Sequence, residues 1–287
     1  MNKIKLIVDS CSSIPIEIAK EKNIDVLPTI FSINDELINP LETELTVDEY
    51  FDKLTKKVDM KTSGIAPNVY YDSFIKYVEE GYDVLYISLS SGFSGSYNNS
   101  LLAKNMVLDE YPDALIECID SLNGSIGIYF TIIEALKLIE EGLSVTEIKN
   151  KLDKNGLNIE AIFTIGSMYH LYKGGRLRLA AAAAGTLLRI KPLVVANKEG
   201  KLKSAAVHIG KKRALAAMAD RVVENIFNDE VFIGYTNNLE EANYFEGLLI
   251  SRNPNLKITK YLIDYTMMIH CGPETVAVFY KKKNPLE

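Results

Sequence analysis

In the first half of the chain, short apolar runs alternate with stretches whose apolar residues recur every three or four positions. The runs are rich in valine, isoleucine and leucine and are typical of buried strands, whereas the longer spacing is typical of amphipathic helices. The predicted strands are 5–10, 26–33, 84–90 and 115–121, and the predicted helices are 47–57, 69–80, 96–110 and 125–141. Strands that alternate with helices in this way predict an α/β fold with a parallel sheet.

Two helix starts carry an additional local signal. Thr46 and Ser144 each stand three positions before a glutamate, Glu49 and Glu147, which is the spacing of a capping box. The helix that follows Ser144 is expected to stop at the Lys-Asn-Gly sequence of 154–156. We therefore predict two domains, 1–155 and 156–287.

The second half predicts another α/β unit, with a mixed sheet because some strands follow each other directly. Its predicted strands are 161–165, 192–196, 205–209, 231–235, 258–263 and 275–280, and its predicted helices are 168–188, interrupted at Gly174-Gly175, 211–228 and 239–251. No low-complexity linker separates the halves, which favours two closely packed lobes over tethered domains.

Composition is that of an ordinary globular protein, with 47% hydrophobic and 24% charged residues. Three scattered cysteines give neither a disulfide framework nor a zinc-binding pair, and we expect a reducing, cytoplasmic environment. The net charge of -6 argues against nucleic-acid binding, yet residues 173–213 hold eleven basic residues and one acidic residue. This basic segment is either a solvated face or a transient contact with an anionic membrane or an acidic partner.

Hydroxyl side chains are concentrated where the predicted strands of the first half end. In open parallel sheets ligands bind beyond the carboxyl ends of the strands. The hydroxyl-bearing segments at strand ends are Asp9-Ser10, the loop 88–96 and Asp120-Ser121, and the loop between two predicted helices adds Lys61-Thr62-Ser63-Gly64. These segments contain no histidine, glutamate or cysteine that could act as base, nucleophile or metal ligand. The pattern predicts binding of a small anion such as a carboxylate, although hydroxyls at these places also commonly cap helices.

Six short motifs, in order along essentially the whole chain, resemble those of the DegV family. They are Asp9-Ser10, Lys61-Thr62-Ser63, the Ser-Ser-Gly-Phe-Ser-Gly-Ser-Tyr sequence of 90–97, Lys173-Gly174-Gly175-Arg176, Ile190-Lys191-Pro192 and His270-Cys271-Gly272-Pro273. The resemblance implies a protein with two lobes, an N-terminal three-layer domain with a parallel sheet and a C-terminal α/β domain with a mixed sheet. A ligand tunnel between the lobes would hold one long-chain fatty acid.

The resemblance also implies roles for individual residues. Thr62 and Ser94 would bind the fatty-acid carboxylate, while Ser63, His270 and Arg176 would lie near it. No catalytic residue, metal or cofactor is implied beyond the bound lipid. Some family members present the lipid to a separate ATP-using subunit of a bacterial fatty acid kinase, so this chain is expected to be a carrier rather than an enzyme.

The chain departs from the family pattern in two places. An aspartate expected a few residues after Asp9-Ser10 is missing, since the sequence there is Cys11-Ser12-Ser13. The usual Thr-Ser-Gln-Pro-Ser reads Thr-Ser-Gly-Ile-Ala at 62–66, which retains Thr62 and alters the loop after it.

Three other functions compete with lipid binding. The Gly-Phe-Ser-Gly sequence of 92–95 follows a strand and precedes a helix, like the nucleophile elbow of a serine hydrolase that would use Ser94, Asp264 and His270. That motif normally has glycine two positions beyond the serine, where this chain has Ser96. The second is a phosphate or nucleotide site, although the chain lacks the glycine patterns of Walker and dinucleotide-binding loops. The third is a purely structural interaction module.

Overall fold

The computed structural model describes residues 3–56, 58–155, 158–177 and 190–284. The strands are β1 (Lys3–Asp9), β2 (Asp25–Leu27), β3 (Phe31–Ile33), β4 (Glu36–Ile38), β5 (Met60–Thr62), β6 (Tyr82–Ser88), β7 (Ile116–Asp120), β8 (Ile159–Thr164), β9 (Ile190–Ala196), β10 (Leu202–Ile209), β11 (Ile226–Tyr235), β12 (Lys257–Leu262) and β13 (Val276–Lys282). The helices are α1 (Ile16–Glu21), α2 (Val47–Thr55), α3 (Pro67–Glu79), α4 (Ser96–Glu110), α5 (Ile126–Glu140), α6 (Val145–Asn155), α7 (Tyr169–Lys173), α8 (Lys211–Asn225), α9 (Leu239–Arg252) and α10 (Tyr265–Cys271).

The N-terminal half is built on a parallel sheet with strand order β2-β1-β6-β7. Ile7 and Tyr86 face α3 and α4 on one side of the sheet. Leu6 and Leu85 face α5 on the other side. Because successive side chains of a strand point to opposite faces, these apolar runs bury both faces and produce three layers.

The C-terminal half is built on a mixed sheet with strand order β10-β9-β8-β13-β11-β12. Helices α8 and α9 cover one face. The other face packs against α5, where the rings of Phe130 and Phe232 stack with their centroids 4.3 Å apart. Helix α5 therefore lies between the two sheets, which explains why it is apolar almost all round.

These two sheets confirm the predicted α/β class, and both capping boxes are present. The backbone N–H of Glu49 donates to Thr46 Oγ1, and the carboxylate of Glu49 accepts from the N–H of Thr46. Ser144 and Glu147 make the same reciprocal pair. The division at 155/156 stays a prediction, because α5 packs against both sheets and residues 156–157 lie outside the described part.

One predicted strand, 26–33, is wrong as a single element. Pro28 cannot donate to a sheet, and the chain leaves the parallel sheet after Leu27. It then forms a small antiparallel sheet with order β4-β3-β5. The helix predicted at 168–188 is α7 followed by a turn at Gly174-Gly175, and residues 178–188 of that prediction lie outside the described residues.

Within the described residues, no helix is both long enough and apolar enough to cross a bilayer. The three cysteines are buried and unpaired.

Candidate functional site

A cavity enclosing about 890 Å³ of unfilled space, part of it open to solvent, lies between the two sheets. Strands β8 and β13 supply Ala161, Phe163, Ala277 and Phe279, which lie next to each other as cross-strand pairs. Loops of the N-terminal half supply hydroxyl groups on another part of the wall. A mostly apolar wall with a few grouped polar side chains is typical of a site for a small amphipathic ligand. The lining residues are Thr29, Thr62, Ser63, Gly64, Leu89, Phe93, Ser94, Asn123, Gly124, Ser125, Ala161, Phe163, Leu171, Arg176, Ala196, Leu202, Ile263, Thr266, Met267, His270, Cys271, Thr275, Ala277 and Phe279.

Thr62 and His270 meet at one side of this cavity. Thr62 is the last residue of β5, and His270 is in the last turn of α10, so the pair joins the two halves of the chain. Thr62 Oγ1 and His270 Nε2 are 2.8 Å apart and form a hydrogen bond. The antiparallel pairing of β5 with β3 fixes the position of Thr62, because Thr62 lies opposite Phe31.

Ser94 lies in the loop between β6 and α4 and faces the same cavity. Its hydroxyl is 3.0 Å from Ser96 Oγ and accepts a hydrogen bond from the Ser96 backbone N–H. A Cβ on Gly64 would lie 3.2 Å from Ser94 Oγ. The loop after Thr62 and the serine loop therefore contact each other closely at this glycine.

Arg176 connects the serine loop to the turn after α7. Its Nε donates to the carbonyl of Phe93 over 3.0 Å, and its Nη1 donates to the carbonyl of Gly174. The side chain is half-buried, and burial lowers the pKa of the guanidinium from its usual value. Ser63 is exposed and also lines the cavity, and its hydroxyl donates to the carbonyl of Ile30 over 3.3 Å.

His270 is neutral at physiological pH. Burial, assisted by the nearby charges of Arg176 and His170, lowers the pKa of His270 to about 4. Its Nδ1 is buried and has no hydrogen-bond partner among the described residues. A Cβ on Gly174 would lie 2.4 Å from this nitrogen, so the glycine lets the ring fit against the turn after α7.

Asp264 anchors α10 to the N-terminal half. Its carboxylate caps the helix by accepting from the backbone N–H of Met267 and also accepts from the hydroxyl of Ser13 over 2.9 Å. Ser13 Oγ is 2.8 Å from Ser125 Oγ. Burial raises the pKa of Asp264 to about 6. This contact holds the helix that carries His270 against the loops of the parallel sheet.

Residues 3–283 match the family described as "Uncharacterised protein, DegV family". This chain belongs to the DegV family. A DegV domain-containing protein of Clostridium perfringens is 31% identical over 287 residues, covering 98% of each chain.

Two solved structures have closely similar folds. A fatty acid binding DegV family protein from Streptococcus agalactiae is 28% identical, with a TM-score of 0.85 and coverage of 99% of this chain and 100% of that one. A stearic-acid-binding protein from Eubacterium ventriosum is 27% identical, with a TM-score of 0.84 and coverage of 97% and 98%. The predicted DegV resemblance is therefore confirmed.

The departure from the DegV pattern after Thr62 leaves an ordered loop. Ile65 is buried against α3 and α4. Its N–H donates to Ser96 Oγ and its carbonyl accepts from Asn99. These contacts attach the loop to the start of α4.

Asp9, Ser10 and Asp120, at the ends of strands of the parallel sheet, are not among the residues that line the cavity. Asp9 is fully buried, and its carboxylate accepts from the hydroxyl of Tyr86 over 2.6 Å and from the N–H of Leu89 over 3.2 Å. Burial raises the pKa of Asp9 to about 6. Ser10 Oγ accepts from the N–H of Thr29, so both residues support loops that line the cavity. Asp120 likewise accepts from the N–H of Ser91.

The hydrolase triad of Ser94, Asp264 and His270 is not assembled. His270 bonds Thr62 through Nε2, whereas its Nδ1, which a triad aspartate would have to hold, has no partner among the described residues. Asp264 bonds Ser13 and the start of α10 instead. Nor do the described residues include three or more histidine, cysteine or carboxylate side chains grouped to hold a metal ion.

Sequence analysis missed the apolar wall and the helix α10. The signal for the wall was present, since Ala161 and Phe163 in β8 and Ala277 and Phe279 in β13 follow the period of two. Which face of the mixed sheet would meet the cavity could not be decided without knowing that α8 and α9 cover the other face. Helix α10 is only seven residues long, too short for a clear helical period.

We expect His270 to make the folded state less stable in mild acid. The unfolded chain takes up a proton near pH 6.5, whereas folded His270 does so only near pH 4. The wild-type free energy of unfolding should therefore fall by up to about 3 kcal/mol between pH 6.5 and pH 4, relative to that of His270→Gln. Urea unfolding of both proteins at pH 7, 5.5 and 4.5 measures this difference, in which the shared titration of Asp9 and Asp264 cancels. A difference that does not change with pH would refute the buried neutral imidazole.

Proposed function

We propose that this chain binds one long-chain fatty acid, with the acyl chain along the apolar wall and the carboxylate at Thr62 and Ser94. The observation that carries the proposal is the cavity itself, whose apolar strand surface leads to hydroxyl groups that include those of Thr62 and Ser94. Its similarity to the proteins from S. agalactiae and E. ventriosum, which are described as binding fatty acids, supports the same ligand class.

The acyl chain supplies most of the expected affinity. Burial of one methylene contributes about 0.8 kcal/mol, so about fifteen contribute on the order of 12 kcal/mol before the costs of ordering. Each hydroxyl contact with a carboxylate adds about 1.5–3 kcal/mol. The chain therefore sets how tightly the ligand binds, and Thr62 and Ser94 set where its head group lies.

The neutral His270 gives Thr62 a defined role as a donor. If the imidazole proton is on Nε2, it donates to Thr62 Oγ1, and the threonine O–H is then free to donate to the carboxylate. This arrangement leaves Nδ1 as an acceptor, which agrees with a buried Nδ1 that has no partner among the described residues. Arg176, bound to two backbone carbonyls, would fix the loop that carries Ser94 and add a positive charge near the head group.

The chain is proposed to be a carrier that presents its lipid to a separate ATP-using kinase subunit. The unassembled hydrolase triad supports a carrier rather than an enzyme. On this proposal, acyl phosphate forms only when lipid-loaded protein, ATP and the partner kinase are mixed. Formation of acyl phosphate or free fatty acid by this chain alone would contradict it.

Mass measurement on the purified protein tests the ligand class. We expect the native mass to exceed the denatured mass by one fatty acid per chain, because a buried acyl chain should survive purification. The released molecule is then identified by its own mass. Purified protein with no lipid, and with no uptake of added palmitate or oleate, would refute the proposal.

A transient contact with anionic membrane is proposed for the basic segment 173–213. Lys198, Lys201 and Lys203 are exposed on and beside the β9–β10 turn, while Lys211 pairs with Glu241 at 3.1 Å. Residues 178–189 of this segment lie outside the described residues. Salt-sensitive binding to anionic vesicles, with none to neutral vesicles, would support the contact.

A further inference from the structure

The loop after β7 adds a second polar group to the wall of the cavity. Asn123 and Ser125 both line the cavity, and they are only 2% and 3% exposed. A Cβ on Gly124, between them, would lie 2.8 Å from Met267 Cε and 3.2 Å from Phe93 Cε2. The two polar residues therefore lie beside apolar lining residues, where the proposed acyl chain would pass.

Asn123 carries an acceptor that has no donor. Its Nδ2 donates to the carbonyl of Ile159 over 3.3 Å, which identifies Oδ1 as the other end of the amide. This oxygen is buried, and no donor within the described part of the chain forms a hydrogen bond with it. An unpaired acceptor in a buried place costs free energy, which a donor on a ligand would recover.

A chain of hydroxyl groups makes Ser125 an acceptor as well. Ser13 Oγ donates to the Asp264 carboxylate over 2.9 Å and lies 2.8 Å from Ser125 Oγ. Because the only hydroxyl proton of Ser13 is used on the carboxylate, the proton between the two serines comes from Ser125. The backbone N–H of Ser125 donates to the carbonyl of Cys11. Ser125 is then left with only oxygen lone pairs to offer a ligand.

Ser125 also has an unusual backbone conformation. Its φ is 54° and its ψ is -135°, a combination that is costly for a residue with a side chain. Ser13, to which it is bonded, has a left-handed φ of 52°. Strained residues of this kind cluster at ligand sites, where the surrounding contacts hold them in place.

We propose that Asn123 and Ser125 form a subsite that binds a hydroxyl group carried on the acyl chain of a fatty acid. This inference rests on the proposed fatty-acid binding and adds a substrate class to it. The ligand O–H donates to one of the two acceptors, whereas a ketone on the same carbon has no proton to donate. Thr62 and Ser94 bind the carboxylate as before, so the hydroxyl group fixes the acyl chain at a second point.

Asp264 is the group whose protonation controls this subsite. Burial raises the pKa of its carboxyl to about 6. In the described part of the chain, the titratable groups that interact electrostatically with Asp264 are Cys11, Tyr50 and Cys271. Burial raises the pKa of all three, so they stay neutral in mild acid.

Protonation reverses the direction of the hydroxyl chain. The protonated Asp264 carboxyl donates to Ser13, Ser13 then donates to Ser125, and Ser125 has its own proton free for a ligand. Asp264→Asn should have the same effect at every pH. The amide nitrogen donates to Ser13 in that variant, because the amide oxygen is needed to accept from the N–H of Met267.

The test compares hydroxystearic and ketostearic acids that carry their oxygen on the same carbon, for a series of positions along the acyl chain. At pH 7.5 we expect the wild-type protein, at one position or at two neighbouring positions, to bind the hydroxy acid about three- to tenfold more tightly than the keto acid. Asp264→Asn at pH 7.5 and the wild-type protein at pH 5 should both shift this ratio towards the keto acid by a similar factor. Both acids have the same carboxyl group, so its own titration cancels in the ratio.

Two serine variants separate the subsite from general destabilisation. Ser125→Ala should bring the ratio close to one and leave the affinity for unsubstituted stearic acid unchanged. Ser100→Ala is the matched control, since Ser100 is fully buried in α4, donates to the carbonyl of Tyr97 and lies outside the cavity lining. It should leave the ratio at the wild-type value.

Equal affinity of the wild-type protein for the two acids at every position would overturn the proposal. A preference for the hydroxy acid that stays the same in Asp264→Asn and at pH 5 would also overturn it, because the hydroxyl chain would then not set the preference. If Asp264→Asn does not fold, the comparison of the wild-type protein at the two pH values decides. Failure to bind stearic acid, which has no hydroxyl group, would refute the proposed function itself, so the two failures are distinguishable.

Discussion

Ala277→Phe is expected to yield purified protein without bound fatty acid. Ala277 is buried in β13 opposite Phe163, and both side chains line the cavity between the two sheets. A phenylalanine ring at this position would occupy space that the proposed acyl chain needs. Displacing about four methylenes would cost about 3 kcal/mol of binding free energy, on the order of a hundredfold in Kd. Native mass measurement and titration with a fluorescent fatty acid measure the loss.

Overpacking of a buried alanine also lowers stability, typically by about 1–3 kcal/mol, so the experiment needs a matched control. Ala242 is fully buried in α9, in the core on the far side of the mixed sheet from the cavity. Ala242→Phe should destabilise the protein by a similar mechanism and still carry one fatty acid per chain below its unfolding temperature. Equal loss of lipid from both variants would mean that destabilisation, and not blockage, empties the protein.

Thr62→Ala and Ser94→Ala should behave differently from the blocked variant. Each removes one hydroxyl contact, about 1.5–3 kcal/mol, and leaves the much larger apolar contribution in place. We expect both variants to retain lipid after purification but to support slower phosphorylation by a partner kinase. Complete loss of lipid in both, matching Ala277→Phe, would contradict the division of roles between chain and head group.

The fold class was predictable from the sequence because buried strands leave continuous apolar runs and amphipathic helices leave an apolar period of three to four residues. The apolar runs of β1, β6 and β7 are continuous because both faces are buried, and helix α4 has the predicted bounds. Local propensity could not show that the chain changes sheets at Pro28, nor that the three residues of β5 pair with β3. Strands this short are fixed by their partners and not by their own sequence.

The site was predictable only in part, for a related physical reason. Thr62 and Ser94 were predicted through the resemblance to DegV motifs, and both line the cavity. The bond between Thr62 and His270 joins residues 208 positions apart. No periodicity encodes such a contact. The order of residues along the chain also allowed a hydrolase triad with Asp264 as an alternative, because that order does not report which partner a carboxylate meets in space.

Gly92→Ala is expected to loosen the contact between the β9–β10 turn and the loop after β6, which lies beside the cavity. The turn between β9 and β10 inserts its backbone against the loop after β6, where Ser90 Oγ donates to the carbonyl of Gly200 over 2.9 Å. A Cβ on Gly92 would lie 2.6 Å from that carbonyl oxygen and 2.9 Å from the backbone nitrogen of Lys201. Backbone atoms cannot rotate away as a flexible side chain can, so the whole turn must move.

That movement would affect ligand binding because the same hairpin lines the cavity through Ala196 and Leu202. We expect Gly92→Ala to lower the free energy of unfolding by about 1–3 kcal/mol and to speed the release of a fluorescent fatty acid. Gly95 provides a matched control in the same loop, since a Cβ there would meet nothing within 4 Å. Gly95→Ala should therefore leave both stability and release unchanged. If Gly92→Ala loses stability but releases lipid at the wild-type rate, the hairpin contact joins the two halves of the protein without controlling access to the cavity.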